Sequence, residues 1–114
     1  MHEVSIAESL LKTAVDACIT NGYTKINNVR VCIGSASGVM PEALLFAFNA
    51  LKSETIASGA TLTIEEVPIA GHCSACSVDF TISENFVLCC PQCGSSAYIL
   101  HSGRELDIKE LEVD

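Results

Sequence analysis

Two pairs of cysteines, Cys73-Ser-Ala-Cys76 and Cys90-Pro-Gln-Cys93, carry the clearest chemistry in the chain. Two residues between thiols let a tight turn point both sulfurs inward. Two such knuckles set four sulfurs at the corners of a tetrahedron, the donor set of a closed structural Zn²⁺ site. Gly94, directly after the second pair, lets the backbone of that turn close. Cys89 adjoins Cys90, but pairing it with Cys93 would break the two-residue knuckle, so Cys90 is the expected ligand. A four-cysteine cage has no open position for water, and no paired nucleophile and base stand out, so nothing here points to an enzyme.

The same thiols could be used in other ways, and the rest of the chain argues against each. A rubredoxin-like electron carrier holds iron in a similar Cys-Pro-x-Cys-Gly knuckle, within an aromatic-rich core. This chain has no Trp and few other aromatics. A zinc-ribbon interaction module for nucleic acid needs Lys and Arg to neutralise phosphates. Here fourteen acidic residues face six basic ones, for a net charge of −8, which argues against that role and against an anionic membrane surface alike. Disulfides need an oxidising compartment. The start Met-His-Glu lacks the basic and apolar regions of an export signal, and no window reaches a membrane span. A cytoplasmic, reducing location follows as the expectation, and there seven cysteines serve as metal ligands or buried thiols.

His2 is the second candidate. Behind a retained Met1, it presents three nitrogens to one ion: the Met1 amine, its own amide and its imidazole. The Glu3 amide can supply a fourth. Four nitrogens in a plane suit Ni²⁺ or Cu²⁺ and suit tetrahedral Zn²⁺ poorly. Taken alone the signal is weak, since many chains begin Met-His. His72 is expected at the surface or as a group supporting its neighbour Cys73, and His101, ending an apolar run, as a partly exposed strand residue. Cys18 and Cys32 fall on apolar patterns and are expected in the core.

The elements that must hold these groups follow from periodicity. Val4, Ala7, Leu11, Ala14, Val15 and Cys18 recur at helical spacing, and Asn21-Gly22 supplies the stop. Val29, Val31 and Ile33 alternate with Arg30 and Cys32 as a half-buried strand. Pro41 and Glu42 open a second helix, with Leu44, Leu45, Phe48 and Leu51 as its apolar stripe. A strand runs through Leu62, Ile64 and Val67 until Pro68. The last strand, from Glu105 to Val113, changes the phase of its apolar residues midway, as a bulged strand does. Between Pro68 and Gly103 short apolar runs (Val78-Phe80-Ile82, Phe86-Leu88, Tyr98-Leu100) separate the cysteine pairs. The expected fold is α+β: residues 1–68 completed by a C-terminal strand over 104–114 give a three-stranded sheet with two helices. Residues 69–103 form an inserted four-cysteine zinc-ribbon domain, too small to fold without a metal.

Met1-His2-Glu3-Val4-Ser5-Ile6-Ala7, Val31-Cys32-Ile33-Gly34, Pro41-Glu42-Ala43-Leu44, Gly59-Ala60-Thr61-Leu62, the two knuckles and Gly103-Arg104-Glu105-Leu106 occur in that order. Together they resemble the HypA/HybF family over essentially the whole chain. The resemblance implies a nickel metallochaperone for [NiFe]-hydrogenase maturation; some members also serve urease. It implies nickel at His2, with Glu3 contributing its amide and Met1 its amine, and zinc at Cys73, Cys76, Cys90 and Cys93. The first domain is then the nickel-binding one. Gly34, Glu42 and Glu105 carry over as fold signatures without a ligand role. The implied partners are the GTPase HypB and the hydrogenase large subunit precursor, with monomer or homodimer left open.

Overall fold

The computed structural model describes residues 2–82 and 89–114; the side chain of His2, all of Met1 and the Phe86-Leu88 run lie outside the described set. Contacts divide the chain into two compact units. One comprises Met1–Cys32, Val39–Glu65 and Asp107–Asp114, the other Ile33–Gly38 and Glu66–Leu106.

In the first unit, helix α1 spans His2–Thr20 and buries Ala7, Leu10, Leu11, Ala14 and Cys18. Val4 falls outside that stripe, 56% exposed. The stop at Asn21-Gly22 is a Schellman cap. Gly22 takes φ 84°, its N–H donates to Ile19 O, and the Tyr23 N–H donates to Cys18 O, both at 3.0 Å. Strand β1 (Ile26–Gly34) buries Val29, Val31 and Ile33. It is the central strand of a sheet ordered β2-β1-β6, with β2 at Thr61–Val67 and β6 at Leu106–Val113. Cys32, expected in the core, lies only half-buried. The period of two puts it on the face of Arg30, whose Nε donates to Glu110 Oε1 at 2.8 Å.

Helix α2 spans Pro41–Leu51, with Pro41 in its first turn. Its buried residues are Leu44, Ala47 and Phe48. Leu45 and Leu51, expected in this stripe, are 39% and 36% exposed. From Leu44 the i+3 and i+4 positions are Ala47 and Phe48, so Leu45 and Phe46 turn outward. The small Ala47 is what the packing uses. In β6 the phase change shows in the burial, with Ile108, Leu111 and Val113 half-buried and Leu106 exposed. The first unit thus has the expected three strands and two helices.

The second unit holds a separate three-stranded antiparallel sheet, ordered β4-β3-β5: β3 is Ile69–Cys73, β4 Asp79–Ile82 and β5 Tyr98–Ser102. The runs around Phe80 and Tyr98 form β4 and β5. Strand β3 has no signature in the residue pattern, because Ile-Ala-Gly-His-Cys has one β-branched residue. Gly71 sits at its centre for a steric reason: a Cβ there would lie 2.5 Å from Ile99 O. Ile69, Cys73, Phe80 and Cys90 make the core, packed by Ala36, Ile82, Tyr98 and Leu100. Phe80 and Tyr98 meet edge to face, 6.1 Å between centroids.

A second close approach explains the Gly34 and Gly103 blocks. A Cβ on Gly34 would lie 2.1 Å from Gly103 C and O, so the two backbones pass where only glycine fits. Gly34 N–H donates to Glu105 O at 2.7 Å and Ala36 N–H to Gly103 O at 2.6 Å. Gly103 adopts φ 116°, and its own N–H donates to Glu105 Oε1 at 2.7 Å. Among the described residues, no helix is long and apolar enough to cross a membrane.

Candidate metal centre

Each cysteine pair sits on a turn at the end of this small sheet. Cys73 ends β3 and Cys76 follows in the turn toward β4; Cys90 and Cys93 lie in the turn ahead of β5. The two turns share one hydrogen-bond pattern. In the first, Ser77 N–H donates to Cys73 O and Cys73 N–H to Val78 O, both at 2.9 Å. In the second, Gly94 N–H donates to Cys90 O at 2.8 Å and Cys90 N–H to Ser95 O at 2.9 Å. Both turns close on a left-handed residue, Ser77 at φ 59° and Gly94 at φ 75°. Gly94 was legible in the sequence and Ser77 was not. Superposing the two knuckles residue by residue is the signal that finds it.

The turns bring Cys73, Cys76, Cys90 and Cys93 together, with all four sulfurs within 4.8 Å of one another. Cys73 Sγ lies 3.6 Å from Cys93 Sγ, and Cys76 Sγ lies 3.7 Å from Cys90 Sγ. Four sulfurs ~2.3 Å from a tetrahedral zinc would stand ~3.8 Å apart, so the cluster has the size of a metal cage. A disulfide needs sulfurs ~2.0 Å apart, and all described cysteines are free thiols. The donor set therefore fits a zinc ion. Cys73 and Cys90 are buried, while Cys76 and Cys93 lie at the surface. Cys89 is half-buried and outside the cluster, which resolves the register in favour of Cys90.

The electrostatics show what four crowded sulfurs lack. The Cys93 backbone N–H, aided by that of Gln92, lowers the Cys90 thiol to about 7 against its loss of hydration. Lost hydration, together with the Cys73, Cys90 and Cys93 sulfurs, pushes the Cys76 thiol up to about 12. At Cys93 the Ser95 N–H and the Cys76 sulfur pull downward, yet desolvation and the Cys73 and Cys90 sulfurs win and the thiol is raised. One ready thiolate and reluctant partners are the state that a divalent cation completes by displacing protons.

The histidines stand apart from this cluster. His72 Nδ1 lies 2.7 Å from Asp79 Oδ1, its cross-strand partner, and His101 is exposed on β5. At the other candidate site, α1 begins at His2, while Met1 and the imidazole of His2 lie outside the described residues. Glu3 is described: its Oε2 accepts the Met40 N–H at 3.2 Å.

A family model described as "Hydrogenase/urease nickel incorporation, metallochaperone, hypA" matches residues 1–113. The chain belongs to the HypA family. A hydrogenase maturation factor HypA of Albidiferax ferrireducens is 40% identical over 114 residues, covering 100% of both chains. The HypA of a Picosynechococcus species is 42% identical over 113 residues, covering 99% of each. The solution structure of the Ni metallochaperone HypA from Helicobacter pylori matches with a TM-score of 0.70 at 28% identity, covering 99% of this chain and 97% of that one. HypA is a metallochaperone family of hydrogenase maturation and not an enzyme family.

Proposed function

We propose that the chain carries Ni²⁺ at its N-terminus and hands it to the precursor of a [NiFe]-hydrogenase large subunit in the cytoplasm, with HypB as its GTPase partner. Its ligands are the Met1 amine, the His2 amide and imidazole, and the Glu3 amide. The carrying observation is the start of α1 at His2 in a chain of the HypA family. Donors taken from the start of α1 lie ahead of the i to i−4 ladder that holds the rest of the helix, so an ion bound there leaves the body of α1 in place. Such an end can also release its cargo one ligand at a time. The nickel-binding domain is residues 1–68 with 104–114 and the zinc-binding one residues 69–103, save that residues 33–38, 66–68 and 104–106 pack with the second unit.

Cys73, Cys76, Cys90 and Cys93 hold a structural zinc that is not the cargo. A closed cage of four thiolates binds tightly and supplies folding energy to a unit with a small core. The test is metal analysis with nickel titration of the untagged protein beside His2→Ala. One tight zinc and one exchangeable nickel are expected, the nickel lost in His2→Ala and in an N-terminally tagged chain. Undiminished nickel binding by His2→Ala would overturn the assignment.

A further inference from the structure

The contact between Glu3 and Met40 joins the proposed nickel-binding end of α1 to the start of α2, within one compact unit. Met40 is the N-cap residue of α2, at φ −88° and ψ 115°, and offers no side-chain cap. Pro41 follows it and has no N–H. The Glu3 carboxylate accepts the Met40 N–H and so stands at the positive end of the α2 macrodipole. It also lies in the first turn of α1, at the positive end of a second one. Both fields favour a carboxylate, and the bond it makes is charge-assisted.

We propose that the Glu3 side chain is a positioning residue: it pins the third residue of the chain to the entrance of α2 and so fixes the base from which the nickel-binding end wraps its ion. This rests on the carrier reading above and deepens it. The Glu3 amide acts as a ligand while its carboxylate acts as a strut. Two physical consequences follow. With Glu3 already held before an ion arrives, its share of the ordering is not paid again on binding, which lowers the entropic cost of chelation. A negative charge is also held beside an ion that would otherwise face the positive end of α1.

The experiment compares wild type, Glu3→Ala and Glu3→Gln in untagged protein, reading hydrogen exchange at the Met40 amide without nickel and Ni²⁺ release with it. Glu3→Ala is expected to speed Met40 exchange and to speed nickel release about fivefold, the loss of one such hydrogen bond, with the absorption band of bound nickel unmoved. Glu3→Gln keeps an acceptor oxygen and is expected to restore most of both. Zinc content should stay at wild type in each, and the melting temperature of Glu3→Ala should fall by no more than the several degrees that one hydrogen bond is worth. Met40 exchange unchanged in Glu3→Ala would overturn the strut, and a shifted nickel band would make the carboxylate a ligand instead. A Glu3→Gln variant that releases nickel as fast as Glu3→Ala would leave only a charge effect and also sink the proposal. Failure of the carrier reading shows separately, as a wild-type chain whose nickel binding does not depend on His2.

Discussion

The sulfur cluster and the proposed nickel site at the amino end of α1 pose opposite solutions to holding a metal. Four thiols converge from two turns locked by backbone hydrogen bonds, with two of the sulfurs buried. The N-terminal donors come instead from consecutive positions at a chain end, tied to the fold at Glu3. A cage assembled from distant residues cannot open at one ligand without disturbing the unit around it. A chain end can. Donor chemistry alone therefore does not separate a structural metal from cargo; what separates them is how much of the fold must move for the ion to leave.

The largest effect should come from breaking the cage. Structural zinc contributes on the order of 10–16 kcal/mol in small zinc domains at neutral pH, so Cys90→Ser should release the zinc and unfold the second unit. Amide NMR should show β3, β4 and β5 lost while α1, α2 and their sheet persist. Retention of the β3–β5 amide signals in zinc-free Cys90→Ser would break the contrast, making the cage no more structural than the chain end. Next in size is Gly34→Ala. Its Cβ meets backbone rather than a movable side chain, so a loss of ~3 kcal/mol is expected, read as a lower melting temperature. A wild-type value would show that the close pass beside Gly103 is slack.

Acidification should separate the two metals. Every donor must shed its proton to bind, so affinity is held at high pH and lost as pH falls. The proposed N-terminal site has an amine, an imidazole and two amides to free of protons, and nickel is expected to leave as acid returns protons to them. Zinc should outlast it, because four thiolates close on the ion from all sides and hold it against the protons that the raised Cys76 and Cys93 thiols would take back. Metal release followed with a colorimetric chelator gives both curves. Coincident curves, or zinc leaving first, would refute the division of roles.

Much of this contrast was legible in the residue order, and the parts that were not share a cause. Cys-x-x-Cys spacing, the Asn21-Gly22 stop and the Val29-Val31-Ile33 alternation are local signals, each read within a few residues. What stayed hidden depends on partners distant in the chain. Gly71 looks like a strand breaker until Ile99 O is beside it, and Gly34 looks like a loop residue until Gly103 is. Leu45 outranks Ala47 in hydrophobicity, yet the interior takes Ala47. The Met40 N–H could not be suspected, since a backbone donor has no signature in sequence. The His2 site was named from chain order and family likeness, and its donors are not among the described side chains.

The smallest expected effect asks whether the two halves of the cage are equally firm. Ser77 and Gly94 hold the same place in their turns, at φ 59° and 75°, but only glycine occupies that region without strain. A left-handed non-glycine residue costs roughly 1–2 kcal/mol, and glycine's extra freedom when unfolded returns part of that. Ser77→Gly should thus stabilise the first knuckle by ~0.5 kcal/mol, while Gly94→Ala should weaken the second by ~1 kcal/mol. Zinc release to a competing chelator should then be slower than wild type in the first variant and faster in the second. Each turn has one exposed cysteine, Cys76 and Cys93, so the backbone strain at Ser77 is what distinguishes them, and the cage is expected to open first at that turn. If Ser77→Gly leaves the release rate unchanged while Gly94→Ala raises it, opening begins at the Cys90–Cys93 turn instead.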